Sequence, residues 1–456
     1  MNPITSKNPY TGELINEYKP FEKKEIENAI SKTFEIQKKW AKVPVNNRAE
    51  KFLTLSKLLR LKKEDLAKII TLEMGKVYRE AIAEVEKCAW VCEYYSQNAE
   101  SFLLPEQIKT DYQKSFVTYN PLGVILAIMP WNFPFWQIFR AAVPVIIAGN
   151  TMILKHASNV TGCAFAIEKL FEESGFEPNT ITTILVKGIE MPEIICDSRI
   201  AGVTLTGSTQ AGISVATSAA ASLKKTVLEL GGSDPYIILE DANIELAVDK
   251  CVKGRLLNAG QSCIGAKRFI VVNKIYEKFV ELFKNQMASA KTGDPFAPDT
   301  TYGPLANKSF KDELHNQVLK SIQLGAVNIL GGNDNFKDLP LYLPTVLTNV
   351  SPKMPAYDDE LFGPVASVIK AKDERDAIRI ANDTNFGLGA AIFTQDIEKG
   401  LYIAQNEIEA GCCFVNDFVK SDPRLHFGGI KQSGYGRELS LWGIREFTNV
   451  KTVVSG

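Results

Sequence analysis

Val124-Ile125-Leu126-Ala127-Ile128-Met129-Pro130-Trp131-Asn132-Phe133-Pro134 is the stretch from which the fold can be read. Its opening apolar run lies between Asn120-Pro121-Leu122-Gly123 and a proline-rich segment, the pattern of a short strand buried on both faces of a parallel sheet. Apolar character continues to about residue 154, which raises the question of a membrane span. Pro130, Asn132, Pro134, Gln137, Arg140 and Pro144 interrupt it too often for an uncovered helix in lipid. The reading is therefore strand, loop and core helix, with Thr151-Met152-Ile153-Leu154 as the next strand. Strand and helix then alternate: helix near 160–173, strand Thr180 to Leu185, helix near 191–197, strand Gly202 to Leu205, helix near 209–219, strand Thr226 to Glu229. That order predicts an open α/β sheet of the nucleotide-binding kind, with a second αβ set from Ala242 to about Thr394. Upstream, residues 24–104 carry helical periodicity, with a short strand at Ser115 to Tyr119 before the turn.

Composition narrows the function. The chain has 456 residues, 45% of them hydrophobic, enough for more than one core. A net charge of -1 with interspersed signs favours neither nucleic acid nor an anionic membrane as partner. The opening residues lack the apolar run of a signal peptide, so a cytoplasmic location is expected. Eight cysteines show no zinc-like or disulfide-framework spacing, and free thiols are expected. With three histidines and no HExxH motif, neither a metal site nor a serine-histidine mechanism is expected.

Three residues could carry chemistry. Cys263 lies in Asn258-Ala259-Gly260-Gln261-Ser262-Cys263-Ile264-Gly265, where flanking glycines allow close approach to the sulfur. It reads as a nucleophile or as a small buried hydrophobe. Asn132, in a rigid loop after a buried strand, reads as an oxyanion donor or as a turn residue. Glu229, in Leu228-Glu229-Leu230-Gly231-Gly232, reads as a general base with a raised pKa or as a buried carboxylate holding a turn. Leu205-Thr206-Gly207-Ser208 ends a strand and opens a helix, which suits either an anion site or a structural turn.

Taken together and in this order, MPWNFP, LELGG and GQSC resemble the NAD(P)-dependent aldehyde dehydrogenase superfamily. Asn8 to Glu13, Glu360-Leu361-Phe362-Gly363-Pro364, Asn385 to Leu388 and Phe427 to Glu438 extend the resemblance over nearly the whole chain. It implies an α/β fold with a Rossmann-type cofactor-binding domain (1–100 and 120–230), an α/β catalytic domain (231–425) and a β-rich oligomerisation extension (101–119 and 426–456). A homodimer or homotetramer follows from the same resemblance. The implied chemistry makes Cys263 the nucleophile, Asn132 the oxyanion donor and Glu229 the base that activates water on a thioester. The presence of Glu229 argues against the CoA-acylating branch. For the cofactor, the resemblance points to Trp131, Lys155, Ser158, Gly207, Ser208, Glu360 and Phe362. A glutamate often stands where this chain has Ser158, so the resemblance implies NADP or NAD as cofactor, with NADP accepted; Lys155 and His156 are adjacent.

The nearest likeness is to short succinate-semialdehyde dehydrogenases, through Phe135 to Arg140 and Leu154 to Asn159. It implies that Arg140 faces the substrate carboxylate, assisted by a hydroxyl from Ser421. A second family arginine is replaced by Leu257, and Arg255 falls on another helix face. The expected reaction is succinic semialdehyde to succinate, the alternatives being glutaric semialdehyde or a general aliphatic aldehyde. A cysteine hydrolase or acyltransferase would not need Lys155, Ser208 and Glu360.

Overall fold

Alternate residues of the strand Val124–Met129 face two different cores, as a strand covered on both sides requires. Ile125, Ala127 and Met129 pack with Phe52, Leu55, Val85 and Phe139, and Val124 and Leu126 pack on the opposite face with Ile30, Ile194 and Val215. The structure is a computed structural model that describes residues 3–333, 336 and 339–456. Among these, the strand sits inside a six-stranded sheet. Its order runs Gly434–Tyr435, Lys225–Glu229, Ile200–Thr206, Val124–Met129, Thr151–His156, Ile181–Thr183. All pairings are parallel except the first, where Gly434–Tyr435 runs antiparallel to Lys225–Glu229. The helix Trp136–Ile147 is buried along its whole length, which explains why its sequence is apolar apart from Gln137 and Arg140. Among the described residues, no helix is long and apolar enough to cross a membrane.

A second sheet follows, in the order Val327–Leu330, Thr345–Thr348, Val365–Ala371, Arg268–Val272, Pro235–Ile238, Gly389–Phe393, Cys412–Val415. It is parallel apart from its first strand and has its own core around Tyr236, Phe269 and Phe283. The chain passes from the first sheet to the second through Leu230 to Asp234 alone, so the carboxyl ends of the first sheet's strands face the start of the second. Loops there position the candidate site. A three-stranded antiparallel sheet pairs Thr448–Ser455 with Lys114–Pro121, and the latter with Glu106–Gln107.

The expected strands and helices of 115–229 are all present, with Ile181–Thr183 shorter than the sequence pattern suggested. The N-terminal helical region divides into Lys23–Trp40, Val45–Leu61, Lys63–Met74 and Tyr78–Leu103. The third of these ends at Gly75, whose φ of 81° is a left-handed cap. Of the segment 426–456, only part joins the three-stranded sheet; Gly434–Tyr435 instead forms the edge of the first. All eight cysteines are free, and Cys88 and Cys92 lie in the core beside the first sheet.

Candidate active site

Three consecutive left-handed residues shape the cysteine loop. After the helix Ile244–Leu256, Asn258, Ala259 and Gly260 have φ of 54°, 55° and 74°. This costs about 1–2 kcal/mol at a residue such as alanine, so the surroundings must hold it. Four side chains do so. Glu80 accepts from the Asn258 N-H at 2.9 Å, and Arg255 donates to the Gly260 carbonyl at 2.6 Å. Gln261 accepts from the Ala306 N-H at 2.9 Å. Lys267 donates to the carbonyls of Ser262 and Cys263 at 2.9 and 2.8 Å. Gly232 lies directly beneath, and a Cβ there would stand 2.7 Å from the Cys263 carbonyl oxygen.

Asn132 meets this loop from the other sheet. Its buried amide donates to the Gln261 carbonyl at 3.1 Å, and its own carbonyl accepts from the Asn258 side chain at 2.7 Å. The Asn132 loop packs in turn on His156, whose ring nitrogens each lie 3.1 Å from a carbonyl, those of Met129 and Pro134. Burial holds His156 down at about 4, and the neutral ring donates to one of the two.

Cys263 is half-buried where two cavities meet. One, of about 420 Å³, is lined by Trp131, Asn132, Gly207, Ser208, Glu360 and Phe362 among others. The second, of about 180 Å³, is a narrower tunnel lined by Lys87, Phe133, Trp136, Arg140, Leu257 and Ser421 among others. Gln137 and Cys263 are the residues common to both linings. Burial pushes the Cys263 thiol up to about 12, against the pull of Arg140 and Lys267.

Glu229 is fully buried at the end of its strand, and neither carboxyl oxygen has a hydrogen-bond partner among the described residues. Burial pushes it up to about 8, Arg140 opposing and Glu438 adding to the rise. It lines neither cavity, although its charge is felt at the Cys263 thiol. Arg140 is buried and ion-paired with Glu438, donates to the Thr206 hydroxyl at 3.2 Å, and lies over the Phe427 ring.

The family model described as the aldehyde dehydrogenase family matches residues 2–453. The chain belongs to the aldehyde dehydrogenase family. Membership carries the reaction class, NAD(P)-dependent oxidation of an aldehyde. The chain is 45% identical over 446 residues to a succinate semialdehyde dehydrogenase [NAD(P)+] of Escherichia coli, covering 98% of this chain and 96% of that one. A probable succinate-semialdehyde dehydrogenase [NADP(+)] of Synechocystis sp. is 44% identical, with 99% of each chain covered. The crystal structure of succinic semialdehyde dehydrogenase from Streptococcus pyogenes with NADP+ superposes with a TM-score of 0.96, at 38% identity and 99% of each chain.

In this aldehyde dehydrogenase the larger cavity gathers Trp131, Gly207, Ser208, Glu360 and Phe362 but not Lys155 or Ser158. Those two sit at and just beyond the carboxyl end of Thr151–His156, Lys155 half-buried and Ser158 exposed. Ser208 caps the helix Thr209–Ala220, accepting from the Ala211 N-H at 3.3 Å. Glu360 accepts from the Gly232 N-H at 3.2 Å and lies 3.3 Å from the Lys267 ammonium. Trp131 stacks on Phe310 at 4.8 Å between ring centroids and meets Phe362 edge-on at 5.8 Å.

Sequence reasoning missed Lys267, Glu80, Phe310, Glu438 and Lys87. Lys267 stands two residues beyond the quoted cysteine loop and Glu438 closes the stretch Phe427 to Glu438, but nothing local says that one grips the loop and the other pairs with Arg140. Glu80 and Lys87 lie on the helix Tyr78–Leu103, where they look like ordinary surface charges.

Proposed function

We propose that this enzyme oxidises succinic semialdehyde to succinate with NADP+ or NAD+. The observation that carries the proposal is the position of one cysteine at the meeting point of a large cleft and a smaller apolar tunnel whose lining includes Lys87 and Arg140. The full-length similarity to succinate-semialdehyde dehydrogenases supports the same choice.

The cleft fits a dinucleotide. A helix N-terminus with Gly207 and Ser208 faces it and suits a pyrophosphate, and Glu360 offers a carboxylate to a ribose. Gly231 leaves room for that carboxylate, since a Cβ would stand 2.5 Å from it. Trp131 and Phe362 flank the cleft, with Lys155 and Ser158 receiving the adenosine ribose beyond its rim. When bound, the nicotinamide accepts the hydride.

The protein's own steps run as follows. Cys263 Sγ, deprotonated, bonds to the aldehyde carbon, and the new oxyanion is met by the Asn132 amide and the Cys263 N-H. Loss of hydride leaves a thioester. Glu229 takes a proton from water, which attacks the acyl carbon and releases succinate and the thiolate. The high pKa of the free thiol means that ligand binding, or a base reached through water, has to favour its ionisation. Arg140 and Ser421 belong to the tunnel that takes the far end of the aldehyde.

The division into parts at 1–100 with 120–230, 231–425, and 101–119 with 426–456 remains part of this reading. So does a homodimer or homotetramer, supported by the exposed edge strand Thr448–Ser455 and by Trp442, 63% exposed nearby. Reduced-cofactor absorbance with succinic semialdehyde, glutaric semialdehyde and butanal tests the substrate. A kcat/KM at least about tenfold higher for succinic semialdehyde than for butanal is expected. Equal values would remove the carboxylate from the reading.

A further inference from the structure

We infer that Lys87, rather than Arg140, is the cation that receives the substrate's distal carboxylate, with the Ser421 hydroxyl as a second donor. The inference rests on the reading that the substrate is a carboxylate-bearing aldehyde.

Three cations line the tunnel that ends at Cys263, together with Glu80 and Glu84, and their surroundings differ. Lys420 is exposed and paired with Asp417 at 2.7 Å. Arg140 is already neutralised by the Glu438 ion pair and tied to Thr206. Lys87 makes no ion pair among the described residues; its ammonium donates to Ser421 Oγ at 2.8 Å and lies 4.3 Å from the centre of the Trp136 ring. The carboxylates that act on it electrostatically, Asp422 and Glu84, are engaged elsewhere. Asp422 is held by Arg424 at 2.6 and 2.9 Å. Glu84 is paired with Lys76 and accepts from the N-H groups of Phe135 and Trp136 at 2.8 and 3.0 Å.

An ammonium has three donors, and Ser421 uses one. Because that hydroxyl accepts from Lys87, its own proton is free to point into the tunnel. A carboxylate arriving between them would take two charge-assisted or polar hydrogen bonds and return to Lys87 the countercharge it lacks. Burial holds Lys87 down at about 8 and Arg140 acts in the same direction, so an anion here also restores a fully charged ammonium. The aromatic rings Phe133 and Trp136 line the same tunnel and make its wall apolar around the ammonium. The lysine therefore sets specificity by charge at the far end of a short acyl chain, while Cys263 works at the near end.

The test compares KM for succinic semialdehyde with KM for butanal in the full-length enzyme and in Lys87→Met, Lys87→Arg and Ser421→Ala. Lys87→Met is expected to raise the ratio of the two KM values about tenfold or more, and Lys87→Arg to restore most of it. Ser421→Ala, which leaves the helix untouched, should move the ratio the same way by about threefold. If the wild type discriminates and Lys87→Met keeps its ratio within about twofold, the assignment is overturned whatever Ser421→Ala does. If the wild type itself does not discriminate, the substrate reading fails first and this inference falls with it.

Discussion

Glu438 holds the Arg140 guanidinium in a buried ion pair behind the wall of the smaller cavity that reaches Cys263. Removing the arginine would strand a carboxylate in a dry site. Arg140→Met is expected to cost about 3–5 kcal/mol of stability, and Arg140→Met combined with Glu438→Gln to recover part of it. Urea denaturation of the two single variants and the double variant checks this. Strictly additive losses would show that the pair is not coupled.

Lys267 is expected to matter to rate without touching the aldehyde. Lys267→Met leaves the Ser262 and Cys263 carbonyls without their common donor and frees Glu360 from its neighbour. Each abandoned carbonyl costs about 1–3 kcal/mol, and the loop that aims the sulfur loosens. A kcat reduced about tenfold or more is the expected result. Retention of full kcat would mean that the left-handed Asn258-Ala259-Gly260 turn holds the loop unaided.

Stability should fall as pH rises across the window set by Glu229. Its folded-state pKa of about 8 lies above the ordinary value of 4.5, so between these the folded chain keeps a proton that the unfolded chain has released. Folding then weakens with rising pH until the carboxyl ionises in both states. Glu229→Gln should flatten that slope, as read from denaturation midpoints at a series of pH values. On the proposed mechanism the same ionisation acts oppositely in turnover, since only the carboxylate can take a proton from water.

What could be read from the chain was whatever repeats locally. Val124 to Met129 declares a buried strand by itself, and the alternation that follows gives the sheet. Asn132, Glu229 and Cys263 gained meaning only as a set, because each alone has an ordinary structural role. The supports of the cysteine loop were out of reach for a different reason. Glu80 and Ala306 meet it from distant segments, and alanine at position 259 gives no hint of a positive φ. Arg140 was legible as a tunnel residue, yet its partner Glu438 comes from the far end of the chain.

Cofactor choice should respond to charge at Ser158, which is exposed beyond the carboxyl end of Thr151–His156. On the proposed reading, Ser158→Glu places a carboxylate where a 2'-phosphate would lie, with Lys155 to offset it. KM for NADP is expected to rise about tenfold or more while KM for NAD stays within about threefold. Unchanged NADP kinetics would place the adenosine ribose elsewhere.

The cleft and the tunnel have linings that overlap only at Gln137 and Cys263. Free-energy effects of substitutions in one wall should therefore sum with those in the other, except at these two positions. A change in one wall can then leave the occupant of the other undisturbed, and Gln137 and the sulfur are the two places where both must agree.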